Sequence, residues 1–317
     1  MLEGVLTTRW DDFVGQEKAK KILKASCVSA KARNVPLPHT LLTSGVPGLG
    51  KTSIALLAAQ EMGTELKILS GKLTVKDVRS TLRDMEDNSI LLIDEFHTLF
   101  TGGKAASEQW LLHLMENNTI IGPYGPELVA KITVMGTTTD EGKIPGTVIS
   151  RFPCIPVLEP YTEDEATEIA FGMGYRIFKD ILTPPNFVVA QHVAAAANRN
   201  PRTIRNIFYT LRDIYVSAEN DTADHSHGDY DIAEALEWRG LSSDGLPKVA
   251  RDYLIALYRD FPDGAGQRTM QDILQAPGGL QSVERILMEK NLIVKKKVGR
   301  ILTLEGNKRA KLEEAAC

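Results

Sequence analysis

Short apolar runs alternate with helix-period stretches through the first half of the chain. Thr40-Leu-Leu-Thr-Ser, Leu66-Lys-Ile-Leu-Ser, Ile90-Leu-Leu-Ile-Asp, Lys131-Ile-Thr-Val-Met-Gly and Cys154-Ile-Pro-Val-Leu are nearly continuous apolar segments of strand length. Strands apolar on both faces are buried on both faces, so these five predict a parallel sheet covered by helices, an α/β domain over residues 1–160. From Thr162 the period lengthens to that of a helix. Thr162-Glu-Asp-Glu is a capping-box start, Pro184-Pro185 interrupts the pattern, and Pro201 to Val216 spaces its apolar residues at three and four. Residues 161–240 are therefore expected to form a small α-helical domain. The polar stretch 220–230 predicts a loop, and Gly240-Leu-Ser-Ser-Asp-Gly-Leu-Pro a linker. Over 241–317, helices near 249–260, 269–275 and 281–290 precede two short strands, 292–294 and 300–304, that flank Lys295-Lys-Lys-Val-Gly. Three helices followed by a basic hairpin spell a winged helix, a module that grips DNA or docks protein; the triple lysine favours DNA.

Composition adds limits. At 317 residues, 43% hydrophobic and 25% charged, the chain suits two or three globular domains and excludes collagen-like, disordered and disulfide-scaffold classes. No apolar run approaches the roughly 18 residues of a spanning helix, and the N-terminus has neither a basic start nor a hydrophobic stretch, so no membrane association and a cytoplasmic location are expected. Cys27, Cys154 and Cys317 form no C-x-x-C pair, which argues against disulfides and zinc. The net charge of −4 hides a segregation: residues 241–317 hold 13 basic and 10 acidic side chains, the other 240 hold 24 and 31. Within residues 290–311, Lys290, Lys295, Lys296, Lys297, Arg300, Lys308, Arg309 and Lys311 stand against the single acid Glu305, an excess suited to phosphates or to a solvated face.

The chemistry concentrates in two motifs. Gly45-Val-Pro-Gly-Leu-Gly-Lys51-Thr52 fits G-x-x-x-x-G-K-[ST] at every position, between the strand at 40–44 and the apolar helix that opens at Ser53. Such a loop (Gly45, Pro47, Gly48, Leu49, Gly50, with Ser53 behind it) turns backbone N–H groups on the phosphates of ATP; Lys51 reaches the β- and γ-phosphates and Thr52 ligates Mg²⁺. Ile90-Leu-Leu-Ile-Asp94-Glu95 ends a buried strand in two acids, placing Asp94 to support the metal and Glu95 to polarise an attacking water. ATP hydrolysis is the economical reading. Phosphoryl transfer needs further positive charge as the γ-phosphate departs, and Arg151 and Arg202 are the candidates.

With these residues in hand, the sequence resembles the AAA+ ATPases, and within them the RuvB family of Holliday-junction branch-migration motors. The resemblance runs from about Trp10 to Leu312 on Asp11-Asp-Phe-Val-Gly-Gln-Glu-Lys, Gly48-Leu-Gly-Lys-Thr, Asp94-Glu-Phe-His, Gly136-Thr-Thr-Thr, Ser150-Arg-Phe, Asn200-Pro-Arg-Thr and Lys297-Val-Gly-Arg. It implies an AAA+ P-loop domain, a helical lid and a C-terminal winged helix. It implies that Phe13 and Val14 line the adenine pocket, that Thr139 senses the γ-phosphate, that Arg151 is a finger reaching a neighbour's ATP, and that Arg202 senses nucleotide from the lid. A finger acting in trans implies a ring, expected to be a hexamer, in which hydrolysis swings the lid and moves DNA. The chain departs from the family in four places. Segment 119–132, in the family a longer apolar hairpin that docks onto the junction-binding partner RuvA, is several residues short, which argues against a RuvA-like partner. Asp140, Thr98 and Ile149 stand where the family has arginines, which lowers positive charge near the nucleotide and the ring interface.

Weaker signals are read conservatively. His225 and His227, beside Asp224 and Asp229, lack enough organised ligands for a metal site. His97 is placed to contact the second acid or to pack. Lys104 and the wing residues Lys295, Lys296, Lys297 and Arg300 are the candidates for DNA backbone contacts. Two rivals to the motor stay open: an AAA+ helicase loader or clamp loader of phage or replicon origin, and a protein remodeller whose pore-loop aromatic would be Tyr124.

Overall fold

The computed structural model describes residues 9–71, 73, 75–101, 105–122, 125–180, 183–219, 230–276 and 279–315. Lys104, Tyr124, Asp224, His225, His227, Asp229 and Cys317 lie outside these. The chain forms two compact units, residues 1–184 with 199–205 and residues 185–198 with 206–317.

In the first unit α1 (Glu17–Arg33) leads to β1 (Thr40–Thr43), α2 (Lys51–Met62), β2 (Leu66–Leu69), α3 (Val75–Arg83), β3 (Ile90–Ile93), α4 (Ala105–Asn117), the hairpin β4 (Thr119–Gly122) and β5 (Gly125–Leu128), β6 (Thr133–Thr138), α5 (Gly146–Ile149) and α6 (Glu163–Phe178). The sheet order is β1-β6-β3-β2 with every pairing parallel. Ile90 to Ile93 are fully buried, as a strand covered on both faces requires. The fifth predicted strand does not form a regular ladder: residues 154–158 touch β1 only through the bridges Thr40↔Cys154 and Thr43↔Val157. Pro153 and Pro156 have no N–H to donate, so the segment gives carbonyls of Cys154 and Pro156 to Leu41 and Thr43 and regains a donor bond only at Leu158. A core of Leu41, Leu91, Ile93, Phe96, Trp110, Leu111, Leu114, Val134 and Phe152 closes one face, so Trp110, Leu111 and Leu114 are packing residues. Cys27 and Cys154 are buried free thiols. The predicted capping box is present: Thr162 accepts from the Glu165 N–H while the Glu165 carboxylate accepts from the Thr162 N–H.

The second unit holds α7 (Phe187–Ala196), most of α8 (Pro201–Glu219), α9 (Ile232–Trp238), α10 (Lys248–Asp260), α11 (Gln267–Ile273), α12 (Gln281–Glu289), the antiparallel hairpin β7 (Ile293–Lys296) and β8 (Gly299–Leu302), and α13 (Leu304–Ala315). Helices α10 to α12 with this hairpin are the winged helix. Its core joins Tyr253, Leu254, Leu257, Met270, Leu280, Leu287 and Ile293. The second wing strand stops at Leu302 because Thr303 caps α13, its hydroxyl accepting from the Gly306 N–H at 2.9 Å. Among the described residues no helix is long and apolar enough to cross a membrane.

Candidate active site

The parallel strands end on one side of the sheet, and the chemistry-bearing residues follow those ends. After β1 the loop turns through Gly48 (φ +86°) and Gly50 (φ +96°) before α2 begins at Lys51. Both glycines are needed for space as well as for dihedral angle: a Cβ on Gly48 would stand 2.6 Å from Asn200 Oδ1, and one on Gly50 2.9 Å from Phe13 Cζ. The loop is held from outside by two residues distant in sequence. Tyr161 donates its hydroxyl to the Leu49 carbonyl at 2.9 Å, and Asn200 donates from Nδ2 to the Pro47 carbonyl at 2.8 Å. Burial pushes the Tyr161 phenol up to about 12, so it remains a donor throughout the neutral range. The Asn200 Oδ1 accepts from the N–H groups of Arg202 and Thr203, capping α8 ahead of Pro201 at its first position.

Lys51 is buried and donates to Ser44 Oγ at 2.7 Å. Desolvation lowers its pKa while Glu95 and Asp94 oppose the shift. Asp94 and Glu95 follow β3, and Glu95 adopts a left-handed backbone (φ 50°) that ends the strand and opens the next turn. From the end of β6, Thr137 donates to Asp94 Oδ1 at 2.5 Å and accepts from the Glu95 N–H. Thr139 donates to Glu95 Oε2 at 3.2 Å. His97 packs into the same cluster, its Nδ1 3.0 Å from Thr138 Oγ1 and 3.4 Å from Glu95 Oε2.

A cleft of about 870 Å³ opens over Lys51, Asp94 and Glu95. Of the expected set, Phe13, Val14, Pro47, Gly48, Gly50, Lys51, Thr52, Ser53, Asp94, Glu95 and Arg202 line it; Gly45, the buried Leu49 and Thr139, which reaches it only through Glu95, do not. Leu49 serves through its carbonyl. Gln16 fixes the Phe13–Val14 segment by exchanging two hydrogen bonds with the Glu159 backbone. Arg151 lies outside the cleft on the surface, ion-paired with Glu116. Sequence reasoning missed Ser44, Thr137, Tyr161, Arg176 and Arg205, and gave Asn200 no role. Arg176 on α6 and Arg205 on α8 line the cleft and Asn200, just before α8, clamps its loop; only folding brings them there.

The cradle fits a nucleotide and its metal. Two glycines keep the phosphate side free of Cβ atoms, and Thr52 and Asp94 offer a hydroxyl and a carboxylate to a hard cation.

On the wing, Lys295, Lys296, Lys297 and Val298 are exposed. Arg300 differs from the expectation of a DNA contact. Its guanidinium turns inward, 2.7 Å from Glu284 Oε2 and 3.1 Å from Gln267 Oε1, while Glu284 also accepts from the Tyr253 hydroxyl at 3.1 Å. Largely buried and held through its Nη2 by both acceptors, it braces the winged helix.

A loop of this form after β1, paired acids after β3 and a threonine sensor position after β6, on a parallel sheet of this order, define a P-loop ATPase of the AAA+ class. Comparison with known proteins narrows this. The "Holliday junction DNA helicase RuvB P-loop domain" model matches residues 6–158. The chain is 30% identical over 310 residues to the Holliday junction branch migration complex subunit RuvB of Kosmotoga olearia, covering 93% of this chain and 86% of that protein. The counterpart of Pseudothermotoga lettingae is 30% identical over 303 residues, with 92% and 85% covered. The structure of the Thermotoga maritima RuvB Holliday junction branch migration motor superposes with a TM-score of 0.80 at 26% identity, covering 98% of this chain and 99% of that one. The chain belongs to the RuvB family.

Proposed function

We propose that the chain is an ATP-driven DNA motor of the RuvB type, hydrolysing ATP within a hexameric ring of its own copies to branch-migrate or translocate DNA. The observation that carries this reading is the cluster of Lys51, Asp94, Glu95 and Thr139 around a glycine cradle, in a chain whose relatives are named as branch-migration subunits.

Lys51 holds the β- and γ-phosphates of ATP from the floor of the cradle, and its burial strengthens that contact. Thr52 and Asp94 are the residues that would hold Mg²⁺, which when bound neutralises phosphate charge. Glu95 takes the proton of a water whose oxygen bonds to the γ-phosphorus, as the bond to the bridging oxygen breaks and ADP keeps that oxygen. Thr139 orients the Glu95 carboxylate, and Phe13 and Val14 wall the nucleoside. Arg202 senses nucleotide within the chain, and Arg151 serves the neighbouring copy. Helix α8 begins in the first unit at Pro201 and continues into the second, so a change felt at Arg202 has a continuous helix along which to act. Lys295, Lys296 and Lys297 contact the DNA backbone; Lys104 is proposed with them on sequence alone. The hairpin β4–β5 pairs four residues per strand, and no RuvA-like partner is assigned to it.

Steady-state ATPase rates without DNA, with duplex and with a synthetic four-way junction test the reading. The junction should stimulate turnover most; turnover indifferent to DNA would favour a protein remodeller instead.

A further inference from the structure

Arg176, on the last turn of α6, lines the nucleotide cleft, yet nothing in the ATPase chemistry uses it. Its Nε is buried and has no hydrogen-bond partner among the described residues, and burial lowers its pKa. The opposing charge that acts on it is Asp12, which forms no ion pair with it. A buried guanidinium N–H without an acceptor is costly, and at Arg176 that N–H belongs to a side chain lining a cleft, where a bound molecule can supply the acceptor.

Its place in the cleft indicates which part of a ligand it meets. The phosphate end is marked by Lys51, which opens α2, and by Asp94 and Glu95, which follow β3. Arg176 lines the cleft from α6 together with Ile169 and Met173, and Asp12, whose charge acts on it, directly precedes Phe13 and Val14, which line the same cleft. One turn earlier Gly172 presents no side chain, and a Cβ built there would lie 3.9 Å from both terminal nitrogens of Arg176, so the guanidinium lies along a bare helix face.

We infer that Arg176 is a specificity-determining residue that donates hydrogen bonds to the nucleoside half of the bound nucleotide, to a ring nitrogen of the base or an oxygen of the ribose. A guanidinium donates and never accepts, so only acceptor atoms of the ligand satisfy it. The inference rests on the nucleotide reading above and deepens it.

Calorimetric titration of the full chain with ADP and, separately, with inorganic tripolyphosphate tests it. Arg176→Met, which keeps the stem and removes the donors, should weaken ADP about ten- to a hundredfold and leave tripolyphosphate at wild-type affinity. Unchanged ADP affinity, or an equal loss for both ligands, would overturn the inference. Repeating the titration with 2′-deoxy-ADP narrows the acceptor: a loss that vanishes assigns the ribose 2′-hydroxyl, and one that persists assigns the base or another ribose oxygen. A wild-type chain that binds neither ligand would instead fell the nucleotide reading itself.

Discussion

Burying the Lys51 ammonium costs the empty fold stability, and the cost has a sign that pH reveals. Desolvation lowers its pKa below that of the unfolded chain, so between the two values the unfolded state binds more protons and stability rises as pH rises. The penalty is present in full below both values. Lys51→Met should therefore raise the thermal midpoint of the nucleotide-free protein while abolishing nucleotide binding; a lowered midpoint with binding retained would contradict both halves. Glu95→Gln should keep binding but cut turnover about 10²–10⁴-fold, the usual contribution of a general base, as single-turnover rates would show. The loop and the acids were legible because their spacing is local. Tyr161 and Asn200 were not, since they reach the loop across 112 and 153 residues of sequence, and no periodicity encodes such a contact.

At the scale of elements, apolar runs located the four ladder strands of the main sheet, because continuous burial leaves a continuous hydrophobic signature. They overstated the segment at 154–158, where Pro153 and Pro156 remove ladder donors, and they gave no sign of α13, whose buried contacts are the small residues Gly306 and Ala310. Basic residues were read by charge alone, which cannot separate an exposed lysine from a braced arginine. The wing now divides cleanly. Replacing Lys295, Lys296 and Lys297 by alanine should weaken DNA binding and reduce the slope of log affinity against log salt by about 2–3; an unchanged slope would assign the wing to protein docking. Glu284→Ala leaves the Arg300 charge buried without its partner and should destabilise the winged helix by about 3–5 kcal/mol, measurable by urea unfolding.

At the scale of the whole molecule, the proposed ring asks each chain to complete its neighbour's site. Arg151 lies outside its own cleft and on the surface, so Arg151→Ala should bind ATP but turn it over slowly. Mixing Arg151→Ala with Lys51→Ala chains should restore part of the activity, because some intact clefts then face an intact arginine; no recovery at any ratio would place Arg151 outside catalysis. Membership of the RuvB family rests on similarity along nearly the whole chain, whereas the assembly rests on the geometry of one arginine. The most direct test of the motor is strand movement itself. A fluorescently labelled four-way junction incubated with the purified chain and ATP should resolve into migrated duplex products, with no product from Glu95→Gln or without ATP. ATP hydrolysis by the wild-type chain on a junction that never moves would contradict the account.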